Sequence, residues 1–165
     1  MIIWDPFDEK TDIWPLAKIE LLDELEYMVE DSLSKWVKLL TWWKRLSKKW
    51  FYFKPTIVSE VRSWMKLFDE ESFWPVASII KADNINDAIE KANNSRFWLA
   101  STVITADKDL FNDVSKKLET WNVFWNKIPT SYPFLPYWWV KDSWYWKELW
   151  ENWLKNFVIE KVIVY

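Results

Sequence analysis

The sequence contains no glycine, no cysteine and no histidine among its 165 residues. Without cysteine there is no disulfide, no thiolate nucleophile and no zinc site of the cysteine type. Without histidine the commonest general base and metal ligand is missing too, so neither a catalytic residue nor a metal site is expected on this chain. The missing glycine is the least ordinary of the three, because usual usage of about 7% would put roughly 12 glycines in a chain of this length. No run approaches the roughly 20 apolar residues of a transmembrane helix. The opening MIIWDPFDEK has no basic start ahead of an apolar run, so no signal peptide is expected and the expected compartment is the cytoplasm. Neither sign of charge is in excess: 22 Lys and Arg against 25 Asp and Glu leave a net charge of −3. Such a balance offers no electrostatic footprint for nucleic acid or an anionic membrane, and neither is expected as a partner.

What is present is a globular mixture, half hydrophobic and 28% charged. Its length fits one domain, expected over residues 1–155, with a separate strand over 156–165. Tryptophan, ordinarily among the rarest residues, occurs 17 times. An amphipathic helix reads from Leu16 to Lys35, with Leu16, Ile19, Leu22, Leu25, Val29 and Leu33 at spacings of three and four. It stops at Trp36, where a helix handing over to a strand wants a left-handed residue, usually glycine. Trp98 and Trp121 stand alike between a helix and a strand, and Trp42-Trp43 fills a turn where a hairpin would want Gly-Gly. A residue with a Cβ in the left-handed region costs about 1–2 kcal/mol, so five such sites approach the ~5–15 kcal/mol stability of a whole domain. The economical reading is that Trp stands where Gly is meant, as when UGA codons of a lineage that reads UGA as glycine are translated as tryptophan. Trp125, inside a strand, fits either residue. The competing reading takes the indoles at face value, as a stacking surface for sugars or single-stranded bases. Stacking platforms space their aromatics along one face, whereas Trp42-Trp43 and Trp138-Trp139 are adjacent pairs in turn contexts.

The segments alternate. The helix of 16–35 is followed by strands near 37–40, 51–59 and 75–82, a helix over 84–95, a strand over 99–105, a helix over 107–120 and a strand over 122–126. A long loop with three prolines, 127–146, precedes a short helix near 147–153 and the terminal strand 156–165. Apolar strands alternating with helices predict an α/β protein with a parallel sheet and helices on both faces, a three-layer αβα arrangement. A compact domain seldom keeps so long a loop without a functional reason.

With Trp read as Gly, Tyr137 to Leu149, written YWWVKDSWYWKEL, becomes YGGVKDSGYGKEL. It resembles the late signature of the aldehyde dehydrogenase superfamily, an aromatic followed by GGxKxSGxGRE, with Lys147 where that family more often has Arg. EESFWP at 70–75 resembles the family's E-E-x-F-G-P, and the opening WDPFDEKTDIWP resembles GDPxDExTDxGP. The resemblance covers essentially all 165 residues in the family's order, and three motifs together are specific where one alone would be weak. In an extended segment Glu71 and Phe73 point to one face. A carboxylate there can accept from two vicinal ribose hydroxyls, and an aromatic two residues on can pack beside a flat nicotinamide. The resemblance implies that assignment, with NAD or NADP as cofactor. It also implies that Ser131 belongs to the loop contacting the carboxylate of a small aldehyde, because Ser131 and the tail ELWENWLKNFVIEKVIVY look most like the succinate-semialdehyde branch. No arginine among Arg45, Arg62 and Arg96 matches a position that would support Ser131.

The family needs a Cys nucleophile, a Glu general base and a dinucleotide-binding domain, all upstream of the GDP motif. No strand followed by G-x-G-x-x-G occurs under either reading of Trp. The chain therefore looks like the C-terminal third of an aldehyde dehydrogenase, carrying one wall of the nicotinamide site and none of the covalent chemistry. An upstream UGA read as a stop would truncate a gene in this way, with Met1 an internal start. Two other functions compete: a noncatalytic Trp-rich binding module, and an oligomerisation fragment that acts by docking to full-length subunits. The resemblance implies that residues 156–165 pair across a subunit boundary in a homo-oligomer, or with the missing N-terminal part of the enzyme.

Overall fold

Helix α1 spans Ile19–Ser34 and buries Leu22, Leu25 and Val29, the seam that the three-and-four spacing predicts. Ser32 lies on the same face, fully buried, and its hydroxyl oxygen accepts from the Leu67 amide at 3.3 Å. The helix ends in a Schellman arrangement. The Val37 amide donates back to the Ser32 carbonyl and the Trp36 amide to that of Leu33, with Trp36 left-handed at φ 71. The chain then enters strand β1, Lys38–Leu39.

The computed structural model describes residues 1–3, 5–41, 44–46, 50–73, 75–143, 147–149, 153–159 and 161–164. Trp42, Trp43 and Trp74, together with Trp144, Trp146 and Trp150 of the signature region, lie outside them. Two units form, Met1–Asp83 and Asn84–Tyr165, where the sequence was read as one domain over 1–155.

In the first unit, strand β2 (Thr56–Ser59) pairs antiparallel with β1 and parallel with β3 (Val76–Ile79), giving the order β1-β2-β3. The crossover between β2 and β3 carries the four-residue helix α2, Lys66–Asp69. Leu22, Leu25 and Val29 of α1 pack against Phe53, Val58, Val61, Met65 and Leu67 to form the core. Exposed Arg45 bridges both Asp23 and Glu26 of α1.

The second unit begins with α3, Ile85–Asn93, capped by the Asn84 side chain accepting from the Asp87 amide. Strands β4 (Phe97–Trp98) and β5 (Ala100–Val103) follow, and then α4, Lys108–Lys117, where the Asp107 carboxylate accepts from the Asp109 and Leu110 amides. Strand β6, Asn122–Trp125, runs parallel to β5. With β2/β3 this is the second parallel pairing, and the α/β class expected from the sequence is the one observed.

Several elements differ from expectation. Trp98 and Trp121 are not left-handed: among the described residues positive φ occurs at Trp36, Glu60, Asn126, Lys141 and Leu149. The reason is that α3 and α4 leave through caps with negative φ, Asn94 at −78° and Leu118 at −74°. Trp98 is held extended inside β4, and the Trp121 indole stacks on Trp138 at 4.5 Å while donating to the Pro136 carbonyl. The long loop is shorter than expected. It contains β7 (Tyr137–Trp138) and β8 (Val140–Lys141), and its longest described run without helix or strand is 127–136. Where a helix was expected near 147–153, strand β9 (Lys147–Glu148) pairs with β7, while Trp153 and Leu154 are helical and lead into a 3-10 turn at Lys155–Phe157. The terminal strand expected over 156–165 has no strand partner within the chain among the described residues, and Val158, Ile159, Val162, Ile163 and Val164 are exposed. No described helix is long and apolar enough to cross a membrane.

Candidate functional site

The segment between α2 and β3 places Glu71 and Phe73. The Glu70 amide closes α2 on the Lys66 carbonyl at 2.9 Å. Five residues on, the carbonyl of buried Pro75 accepts from the Thr56 amide at 3.0 Å and starts the parallel ladder. Glu71 and Phe73, between these two points, line one crevice of about 40 Å³. Leu16, just ahead of α1, and Leu21, Glu24, Leu25 and Met28 of α1 line the same crevice. Phe73 is 66% exposed, so much of its surface is free to meet a flat partner. Glu24 was not singled out in the sequence because it stands at an ordinary exposed polar position of α1.

Ser131 belongs to the second unit, exposed in the 127–136 loop. The structure thus brings Glu71 and Phe73 together within one unit and puts Ser131 in the other. The 127–136 loop leaves from the carboxyl ends of the parallel strands β5 and β6, where a cleft of about 620 Å³ opens between Thr102, Thr105, Asn126, Lys127 and Pro129. Asn126 is left-handed at φ 51, and its amide brackets Thr105: Oδ1 accepts from the Thr105 amide at 2.9 Å and Nδ2 donates to the Thr105 carbonyl at 2.8 Å. This cleft was also missed, although the carboxyl edge of parallel strands is where open α/β sheets place ligands. Beyond the loop, burial pushes the pKa of the Tyr137 hydroxyl above its ordinary value, with the nearby Glu148 carboxylate adding to it. Among the described residues no cluster of three or more acidic, His or Cys side chains is placed to hold a metal.

The family model described as "Aldehyde dehydrogenase family" matches residues 1–163. The chain belongs to the aldehyde dehydrogenase family. Similar members include the succinate-semialdehyde dehydrogenase [NADP(+)] 1 of Mycobacterium tuberculosis, 34% identical over 161 residues that make up 98% of this chain and 35% of that protein. The succinate semialdehyde dehydrogenase [NAD(P)+] of Escherichia coli is 34% identical over 145 residues, 88% of this chain and 31% of that one. Among solved structures, the succinic semialdehyde dehydrogenase from Streptococcus pyogenes in complex with NADP+ superposes with a TM-score of 0.90 at 28% identity, covering 98% of this chain and 35% of that one. This aldehyde dehydrogenase chain therefore spans about a third of the length of the curated relatives it matches.

Proposed function

We propose that the chain is the C-terminal third of an NAD(P)-dependent aldehyde dehydrogenase acting on a small aldehyde of the succinate-semialdehyde kind, and that the chain alone is inactive. The observation that carries this is the shared crevice of Glu71 and Phe73 in a chain that matches the family from residue 1 to 163. The residues present fit the nicotinamide half of the cofactor. Glu71 would accept from the ribose hydroxyls and Phe73 would pack on the ring. The chemistry the cofactor supplies when bound is hydride acceptance. Glu71 and Phe73 orient it, and nothing on this chain forms a bond to the aldehyde, because there is neither cysteine nor histidine. Ser131 would meet the substrate carboxylate from the 127–136 loop. The exposed apolar tail, with Ile159 and Val162 among its most exposed residues, supports pairing of 156–165 with another subunit. A cytoplasmic setting accords with this reading.

Left-handed Trp36 at a glycine-type helix end supports the further reading that tryptophans here stand for glycine through recoded UGA. So does Trp139, whose buried indole N–H has no acceptor among the described residues, a loss of about 1–3 kcal/mol. Purified chain should turn over no succinate semialdehyde with either NAD or NADP and show no esterase activity; turnover that survives a contaminant control refutes the assignment of inactivity. Reading the gene settles the recoding: UGA at these positions supports it and UGG defeats it.

A further inference from the structure

The lysine of the signature segment, Lys141, sits in a left-handed conformation at φ 55, which is disfavoured for any residue with a Cβ and persists only where the surroundings impose it. What imposes it is visible at the other end of the side chain. The ammonium has three N–H donors, and each has an acceptor: the carbonyls of Asn93 at 2.7 Å and Ser95 at 2.9 Å, and Glu119 Oε2 at 2.6 Å. Asn93 is the last residue of α3, so its carbonyl is among the unsatisfied groups at the negative end of that helix. The Asn93 side chain in turn clamps the end of α4, its Nδ2 donating to the Lys117 carbonyl at 2.8 Å and its Oδ1 accepting from the Glu119 amide at 3.0 Å. One cation therefore joins the ends of two helices to a strand that has only two residue pairs of its own, Phe97 with Lys141 and Trp98 with Val140. The adjacent Asp142 amide adds one hydrogen bond to the Arg96 carbonyl at 2.8 Å.

At the start of the 127–136 loop Asn126 is fixed on Thr105 and the Lys127 carbonyl accepts from the Thr102 hydroxyl; at its end the Pro136 carbonyl accepts from the Trp121 indole and β7 pairs with β9, and beyond these the chain is fixed at Lys141. We propose that Lys141 is the positioning residue of this loop: by pinning the signature segment to the ends of α3 and α4, it sets where the loop and Ser131 stand. The mechanical part of this inference is independent of ligand. Its consequence for aldehyde binding rests on the proposed reading of the loop as a pocket wall.

Because the chain has no cysteine, Lys141→Cys introduces a single thiol, and aminoethylation of that thiol restores an ammonium at nearly the reach of lysine. Hydrogen exchange measured by mass spectrometry on the full chain then reads the anchor. In Lys141→Cys, exchange over 127–143 should be roughly tenfold or more faster, the range expected for losing a charge-assisted hydrogen-bond group, with β5 and β6 unchanged. Aminoethylation should restore protection, whereas a neutral propyl group of similar length should not. Unchanged exchange, loosening that spreads equally through β5 and β6, or equal rescue by the neutral group overturns the proposal. Should Lys141→Cys fail to fold, Glu119→Gln keeps the two carbonyl acceptors and should loosen 127–143 alone; no loosening there overturns it equally. Added succinate tests the pocket reading separately. If succinate leaves exchange of 127–136 untouched in the wild-type chain, that reading falls while the Lys141 result stands.

Discussion

Replacing Trp36 by glycine should stabilise the first unit, and the size of the gain follows from the helix end itself. Trp36 occupies the left-handed position of the Schellman arrangement, φ 71, with both capping hydrogen bonds made by backbone amides. Losing the side chain breaks neither of them. Relief of the Cβ clash is worth about 1–2 kcal/mol. Against it stands the extra freedom glycine gives the unfolded chain, about 0.4–1 kcal/mol. The indole is 89% exposed, so its removal forfeits little burial. The net expectation is a gain of about 0.5–1 kcal/mol, which for a chain of this size raises Tm by about 1–4 °C. Denaturant melts followed by circular dichroism would compare Trp36→Gly with Trp36→Ala. Alanine also removes the indole but keeps the Cβ, so it should show little or none of the gain, with Trp36→Asn between them. A Trp36→Gly chain no more stable than Trp36→Ala would refute the strain argument and, with it, the strongest structural support for glycine at this position.

Other outcomes can be checked in the same way. In a full-length dehydrogenase carrying this C-terminal third, Glu71→Gln should slow hydride transfer in single-turnover experiments more than it weakens adenine-side binding, because an amide holds the ribose hydroxyls less well than a carboxylate; an unchanged transfer rate removes Glu71 from the site. Deleting 157–165 should make the chain more monodisperse on size exclusion while its helical signal persists, and a truncated chain that unfolds beside a cleanly monomeric intact one would place the tail in the core. The Lys35 ammonium, 2.8 Å away, holds the Asp31 carboxyl below its ordinary value, helped by the Lys66 amide. Since the unfolded chain takes up this proton first, near pH ~3.9, the contribution is present above that pH and lost as pH falls through the lowered folded value. Asp31→Asn should therefore flatten the acid side of the stability profile, and an unaltered slope there would show the pair contributes nothing.

What could be read without coordinates is whatever depends on neighbours in sequence. The seam of Leu22, Leu25 and Val29 follows from helical periodicity, and the end of α1 at Trp36 follows from the need for a left-handed residue before a strand. The caps at Asn84 and Asp107 close on amides two or three residues away, and Glu71 and Phe73 share a face because successive side chains of an extended segment alternate. The three motifs were likewise legible as linear patterns. Only the tertiary structure decided the rest. Trp98 and Trp121 stand in sequence contexts like that of Trp36, but Trp98 pairs with Val140 in β4, Trp121 stacks on Trp138, and neither has a positive φ. Residues 147–148 form a strand rather than a helix because Tyr137 and Trp138, about ten positions earlier, supply the ladder. Glu24 joins Glu71 across 47 residues of chain, and the Lys141 ammonium finds its acceptors 22 to 48 residues upstream. Contacts of that separation form when packing brings the segments together, and no local spacing encodes them.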